Sequence, residues 1–196
     1  MSPLAKEEQR WLLDWARQAM AAALAGSAAA LREEAAVPSD RLRQPGAAFV
    51  SLHKQGQLRG CVGLPQAREP LYLTVAEAAI SAALHDPRFP PVEAEELPAL
   101  EIEISVLSPL FPIQPEQVVP GEHGLLVTEG FYRGLLLPQV AREHGWDRER
   151  FLEETCLKAG LERTAWKRGV KLEAFTAFVF SDATCAAEPL PTRSLL

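Results

Sequence analysis

The spacing of hydrophobic residues along the chain predicts helices and strands in turn. From residue 4 to residue 23 the apolar positions recur every three or four residues, which predicts an amphipathic helix capped by Ser2, opened by Pro3 and ended by Gly26. Two tryptophans in this stripe lie one turn apart, and core packing explains them better than a cofactor cage does. A second, short helix is predicted over residues 27–36.

A β-hairpin is predicted over residues 47–64, because two apolar segments flank Gln55-Gly56, a dipeptide suited to a two-residue turn. Arg59 and Cys61 then share one face of the sheet, whereas His53 and Gly60 lie on the other. A slip of one residue in the register would move His53 to the side of Cys61. The opposed pairs predicted with this turn are Lys54 with Gln57, Leu52 with Arg59, and Val50 with Cys61.

A third helix is predicted over residues 71–85, followed by a proline-stiffened loop and a strand. Thr74 and Glu77 have the spacing of a capping box, and four alanines form a face that allows close packing. Asp86-Pro87 ends this helix, because proline cannot continue it. Residues 100–106 alternate strictly between apolar and polar, which predicts a strand with one buried face.

Four prolines between residues 109 and 120 indicate a boundary, beyond which a second group of elements is predicted. A hairpin is predicted around Glu129-Gly130, followed by a short helix over residues 138–144 and a longer one over residues 147–160. Residues 171–180 are apolar on both faces, which predicts one continuous central strand.

Composition and charge exclude several classes of protein. The 196 residues are 47% hydrophobic, which excludes a disordered chain, and the three widely separated cysteines fit reduced thiols in a cytoplasmic protein. The formal net charge is −6 and no run of Lys and Arg exceeds two residues, so we expect no nucleic-acid partner. Because no long apolar segment is found, we expect neither a secretory signal nor a membrane-spanning helix.

Residues 58–63 read Leu-Arg-Gly-Cys-Val-Gly, and this hexapeptide resembles the signature Leu-Arg-Gly-Cys-Ile-Gly of the AMMECR-type domain family. Val62 departs from that signature by one methylene group. Five further blocks resemble the family in the same order, and together the six span most of the chain. The five blocks are residues 86–91, 96–98, 123–125, 137–141 and 145–147.

The resemblance implies an α+β fold of two subdomains, each with an antiparallel sheet and packed helices, and a cleft between them that the signature motif faces. On this basis we expect a large subdomain from residues 1–112 and 172–196, and a smaller inserted subdomain from residues 113–171. The family has no established activity. Its prokaryotic members tend to occur beside Memo-type and radical S-adenosylmethionine proteins, an association that implies a shared pathway or complex.

Cys61 is the strongest candidate for a catalytic residue. Arg59, on the same predicted face, would favour the thiolate form of Cys61 and pair with an anionic group of a substrate. Gly60 and Gly63 would leave the backbone open to a ligand. The alternative is a buried cysteine packed against Val50, with both glycines required for local geometry, because free cysteines are often buried.

Histidines and charged residues provide the remaining candidates. His123 matches a family position just before a predicted strand, and we consider it a candidate acid, base or hydrogen-bond donor. No pair of histidines or cysteines has metal-ligand spacing, so we expect no metal and no cofactor. Asp86 and Arg88 are interpreted either as an ion pair that fixes the proline loop or as contacts to a ligand.

The sequence thus predicts a small cytoplasmic enzyme or ligand-binding protein that acts on an unidentified small molecule or protein in the cleft at residues 58–63. The alternative is a non-catalytic adaptor that binds a protein partner through the same groove. A reactive Cys61 would favour the first function, and a large exposed apolar patch in the groove would favour the second.

Overall fold

The computed structural model describes residues 4–27 and 36–186. The chain forms two compact units, Met1–Val106 with Val179–Leu196 and Leu107–Phe178. Two antiparallel four-stranded sheets with packed helices confirm the predicted α+β class. Within the described ranges, no helix is both long and apolar enough to cross a bilayer.

The helices are α1 (Lys6–Leu24), α2 (Leu71–Leu84), α3 (Pro138–Glu143), α4 (Arg148–Lys158) and α5 (Asp182–Ala186). The strands are β1 (Ala47–Lys54), β2 (Gln57–Leu64), β3 (Leu100–Leu107), β4 (Phe111–Pro112), β5 (Gly124–Glu129), β6 (Tyr132–Leu136), β7 (Lys171–Phe175) and β8 (Ala177–Ser181).

The sheet of the first unit has the strand order β2-β1-β3-β8. Helix α2 packs on β1 and β2, and α1 packs on α2. Trp11 and Trp15 of α1 stack with their ring centroids 5.3 Å apart, and the Trp15 indole N–H donates to the Tyr72 carbonyl at 2.9 Å. The two rings therefore face each other rather than form an open cage. The small-residue face predicted for α2 is confirmed by its buried alanines Ala78, Ala79, Ala82 and Ala83.

The sheet of the second unit has the order β4-β7-β5-β6, with α4 packed on β5 and β6. The Asp147 carboxylate caps α4 by accepting the N–H of Arg150 at 2.8 Å. Side chains from the strands, from α4 and from the turns around it form one apolar core. Its largest members include Leu125, Val127, Phe151, Leu152, Cys156 and Leu172.

The single strand predicted over residues 171–180 is wrong. The chain breaks at Thr176 into β7, an inner strand of the second sheet, and β8, an edge strand of the first. Two hydrogen bonds join Thr176 to Ser108 at the end of β3: the Ser108 N–H donates to the Thr176 carbonyl at 2.9 Å, and the Thr176 N–H donates to the Ser108 hydroxyl at 3.0 Å. The apolar faces of this segment belong to two different sheets.

One predicted helix start is displaced and another is confirmed. Helix α1 begins at Lys6 rather than Pro3, with the Ala5 N–H bonded to the Glu8 carboxylate at 2.8 Å. Helix α2 begins at Leu71, as predicted, and Thr74 of the expected capping box lies inside the helix, where it donates to the Gly46 carbonyl at 2.9 Å. The short helix predicted over residues 27–36 lies outside the described residues.

Candidate functional site around Cys61

A β-bulge in the first hairpin decides what lies opposite Cys61. The pairing predicted at the turn is present, but the register shifts in the middle of β1, and Arg59 is left without a partner residue. Beyond the bulge Cys61 lies opposite Ser51 rather than Val50, so the predicted register is wrong by one residue. Because opposed residues project to the same side of a sheet, the hydroxyl and the thiol share a face.

Two side chains from the loop after α2 bind the backbone of Cys61. The Cys61 N–H donates to Asp86 Oδ2 at 2.9 Å, and the Arg88 guanidinium donates to the Cys61 carbonyl at 3.1 Å. The same guanidinium donates to both oxygens of Asp86, at 2.9 and 2.6 Å. Since β2 is an edge strand, these groups supply hydrogen bonds that a neighbouring strand would otherwise make. We call Asp86 and Arg88 the edge clasp.

The edge clasp is a closely coupled ion pair. The Asp86 side chain is 3% exposed, whereas that of Arg88 is 53% exposed. Hydrogen bonds from Arg88 and from the Cys61 N–H hold the pKa of Asp86 well below its usual range, although burial opposes this shift. The bond to Asp86 in turn raises the pKa of the Arg88 guanidinium. Removing either partner would leave the other without its counter-ion.

The Cys61 thiol is partly exposed and has two polar neighbours. The buried Ser51 hydroxyl donates to Sγ at 3.3 Å. The Arg88 guanidinium reaches the same residue through its hydrogen bond to the Cys61 carbonyl oxygen at 3.1 Å. The arrangement therefore combines a reachable thiol with an exposed guanidinium that can receive an anion.

Packing explains both glycines of the motif. A Cβ at Gly60 would overlap the carbonyl oxygen of Ala82 in α2, and a Cβ at Gly63 would overlap the Phe49 ring. The missing side chains make room for a helix and for an aromatic ring of the protein itself. A role of Gly60 and Gly63 in ligand binding stays a prediction.

Arg59 belongs to a separate network that holds the loop before β3. Its guanidinium donates to Glu96 at 2.9 and 3.2 Å, and to two proline carbonyl oxygens of that loop at 2.8 and 3.3 Å. Lys54 donates to the same carboxylate at 2.8 Å. Hydrogen bonds from Arg59 and Lys54 lower the pKa of Glu96 to about 2. The cation beside the Cys61 thiol is therefore Arg88.

His123 lies in the second unit, just before β5. Its Nδ1 accepts the N–H of Val119 at 3.1 Å, and its ring packs edge-on against Phe111 with the centroids 5.9 Å apart. A ring nitrogen that accepts a backbone N–H carries no proton, so this geometry assigns the neutral ring's hydrogen to Nε2. Its role as an acid or base stays a prediction. In the part of the chain that the structure describes, no three His, Cys, Asp or Glu side chains group as a metal site requires.

Comparisons with known proteins agree with this architecture. The profile of the AMMECR1 family matches residues 13–180, which is most of the chain. The chain belongs to the AMMECR1 family. It is 48% identical over 167 residues to a protein of Methanothermobacter thermautotrophicus, covering 82% of this chain and 86% of that relative. It is 43% identical over 157 residues to protein MJ0810 of Methanocaldococcus jannaschii, covering 75% of this chain and 78% of that relative.

A solved structure has the same fold. The crystal structure of uncharacterized protein PH0010 from Pyrococcus horikoshii matches with a TM-score of 0.81 and 36% identity, over 91% of this chain and 95% of that one. The resemblance inferred from the six sequence blocks is thereby confirmed. These names state no activity, so membership of the AMMECR1 family identifies the fold and leaves the chemistry to the site.

Sequence reasoning missed two residues of this AMMECR1 site. Ser51 was hidden by the bulge, because the expected register placed a different residue opposite Cys61. Glu96 lies within the block at residues 96–98 that resembles the family, and this block could have indicated that Glu96 has a role. Its partners, Arg59 and Lys54, are far from it in sequence and meet it only in the folded chain.

Proposed function

We propose that this AMMECR1-family protein is a small enzyme or ligand-binding protein that uses the Cys61 thiol and the Arg88 guanidinium. The observation that carries the proposal is a partly exposed cysteine whose thiol accepts the buried Ser51 hydroxyl and whose carbonyl oxygen accepts a guanidinium held in place by Asp86. A guanidinium presents its donors in a fixed fork that fits carboxylates and phosphates. The ligand is therefore an anionic compound. The free cysteines support a cytoplasmic location.

We also propose that the protein acts with Memo-type and radical S-adenosylmethionine proteins. Membership of the family supports this proposal through the tendency of its prokaryotic members to occur beside these two classes. Capture of the tagged protein from its own cells should recover both classes. Their absence from captures with the wild-type chain and with Cys61→Ala would contradict the partnership.

Alkylation by iodoacetamide tests the proposed thiol. We expect Cys61 to react faster than Cys156 and Cys185, because both of these are buried. Burial also raises the pKa of Cys156, which reduces its reactive thiolate. Peptide mass spectrometry over a time course would follow the three cysteines separately.

Three variants at two arginine positions provide the matched comparison. Arg88→Ala should slow the alkylation of Cys61 several-fold, and Arg88→Lys should restore part of the rate because it keeps the charge. Arg59→Ala should leave the rate unchanged, because that guanidinium is bound to Glu96. If Cys61 reacts as slowly as Cys156, and Arg88→Ala has no effect, the reactive thiol is excluded and the adaptor function replaces it.

A further inference from the structure

A groove on the second unit is lined by side chains from three parts of its chain. The segment after β4 forms one wall, the first turns of α4 form another, and the turn before β7 forms the third. The groove consists of two adjoining hollows of about 400 and 580 Å³, which share Pro115, Glu116 and Trp166. We call it the Trp166 groove.

The inside of the Trp166 groove is apolar. Its buried lining residues are Ile113, Leu152 and Leu172, which belong to the core of the second unit. Pro115 lies beside them, and the Trp166 side chain packs against the same core. An aromatic ring between apolar walls is a surface on which the proline rings of a polyproline II segment pack.

The Trp166 indole N–H is buried and has no hydrogen-bond partner among the described residues. A buried donor without an acceptor is costly, and native proteins leave few of them. The carbonyl groups of a polyproline II segment are free acceptors, because this conformation forms no internal hydrogen bonds. Such a segment can reach the N–H once an exposed side chain of the rim turns aside. Lys167, whose ammonium lies 4.9 Å from the centre of this ring, is half-exposed and can do so.

The rim of the Trp166 groove carries three carboxylates and two cations. Lys167 is paired with Glu149 at 2.8 Å, and the Arg148 guanidinium donates to the Glu116 carbonyl at 2.6 Å. Among the residues that the structure describes, no cation forms an ion pair with the Glu116 or Asp147 carboxylate. A ligand that carries a positive charge therefore complements this rim.

We propose that the Trp166 groove binds an extended, proline-rich segment of a partner protein that carries an arginine or a lysine. Two prolines one turn apart, about 9 Å in polyproline II geometry, enter the two hollows. A carbonyl group between them accepts the Trp166 indole N–H, and the basic side chain binds the Glu116 carboxylate. Because proline holds the segment extended beforehand, little conformational entropy is lost on binding.

Titration of the full chain with the end-blocked peptide Pro-Pro-Leu-Pro-Pro-Arg tests the proposal. Nuclear magnetic resonance of the isotope-labelled protein resolves the four tryptophan indole N–H groups, and we expect that of Trp166 to shift downfield as it gains an acceptor. The peptide in which glycine replaces every proline should bind at least about tenfold more weakly, because it must be ordered on binding.

Two variants separate the hydrogen bond from the charge. Trp166→Phe keeps an aromatic ring without the N–H, and it should raise the dissociation constant at least about fivefold. Glu116→Gln should raise it about threefold, but not for a peptide that ends in leucine instead of arginine. Glu122→Gln is the matched control, because Glu122 is an exposed carboxylate of the same unit outside the groove. Circular dichroism would verify that each variant keeps its fold.

Three results would overturn the proposal. The first is no binding of the proline peptide at concentrations up to about 1 mM. The second is binding that leaves the Trp166 indole resonance in place. The third is equally tight binding of the glycine peptide, which would show that the groove attracts a charged chain without recognising proline.

Discussion

Neighbouring residues of the motif at 58–63 have unrelated physical roles. Arg59 holds a distant loop through Glu96, and Gly60 allows α2 to approach β2. Cys61 carries the thiol and is partly exposed, and Gly63 accommodates the Phe49 ring. A short run of residues that looks like one site therefore contains a loop anchor, two packing positions and one chemical group.

The two glycines are expected to respond differently to substitution. Gly60→Ala should lower the free energy of unfolding by about 3 kcal/mol, because its Cβ meets helix backbone that can move only as a unit. Gly63→Ala should lower it by about 1–2 kcal/mol, because the obstructing Phe49 ring can rotate. Urea unfolding followed by tryptophan fluorescence would measure both changes.

A double-mutant cycle separates the two causes. Phe49→Ala removes the ring, so the added effect of Gly63→Ala should nearly vanish in that background. The effect of Gly60→Ala should persist there, because Ala82 remains in place. Equal destabilisation by the two alanines, or additive effects at positions 49 and 63, would contradict the packing explanation.

At the scale of elements, the spacing of hydrophobic residues correctly predicted the helices and strands that have a single apolar face. The helix of α2 with its buried alanines and the alternating strand β3 follow from local spacing, which the chain carries within each element. The break at Thr176 could not be predicted in this way. An apolar run does not record which sheet covers each part of it, and Thr176 is fixed by bonds to Ser108, far away in sequence.

In the candidate site, too, the sequence could identify individual residues but not the contacts that the fold creates between them. Cys61, Asp86 and Arg88 could be named from the sequence, because an unusual motif and a proline-bounded loop carry them. Their joining into an edge clasp could not, since it depends on α2 bringing its last turn to the edge of β2. Ser51 was missed because a bulge shifts the strand pairing by one residue, and the pattern of hydrophobic residues along the strand does not reveal it.

For the whole molecule, the charged networks around β2 predict a loss of stability in acid. The pKa values of Asp86 and Glu96 are both lowered on folding, so their contributions are fully present above about pH 4, the ordinary carboxyl range. Stability should therefore hold from pH 7 to pH 5 and then decline as pH falls toward 2, where Glu96 becomes protonated in the folded state. Glu96 should account for at most about 3 kcal/mol of that decline.

Urea unfolding at each pH would measure this decline. Glu96→Gln should be less stable than the wild type at pH 7 and should lose less stability between pH 5 and pH 2. Glu101→Gln, which changes an exposed carboxyl of β3, provides the control position. A wild-type curve that stays level down to pH 2 would show that the two ion pairs add nothing to folding.

The shortness of β4 limits how the sheet of the second unit could be extended. The edge opposite β6 offers two residues, Phe111 and Pro112, and the proline has no N–H to donate. A strand added there would find almost no ladder to join. Of the two edges of this sheet, that of β6 alone has a ladder long enough to accept another strand, so the sheet cannot be lengthened in both directions.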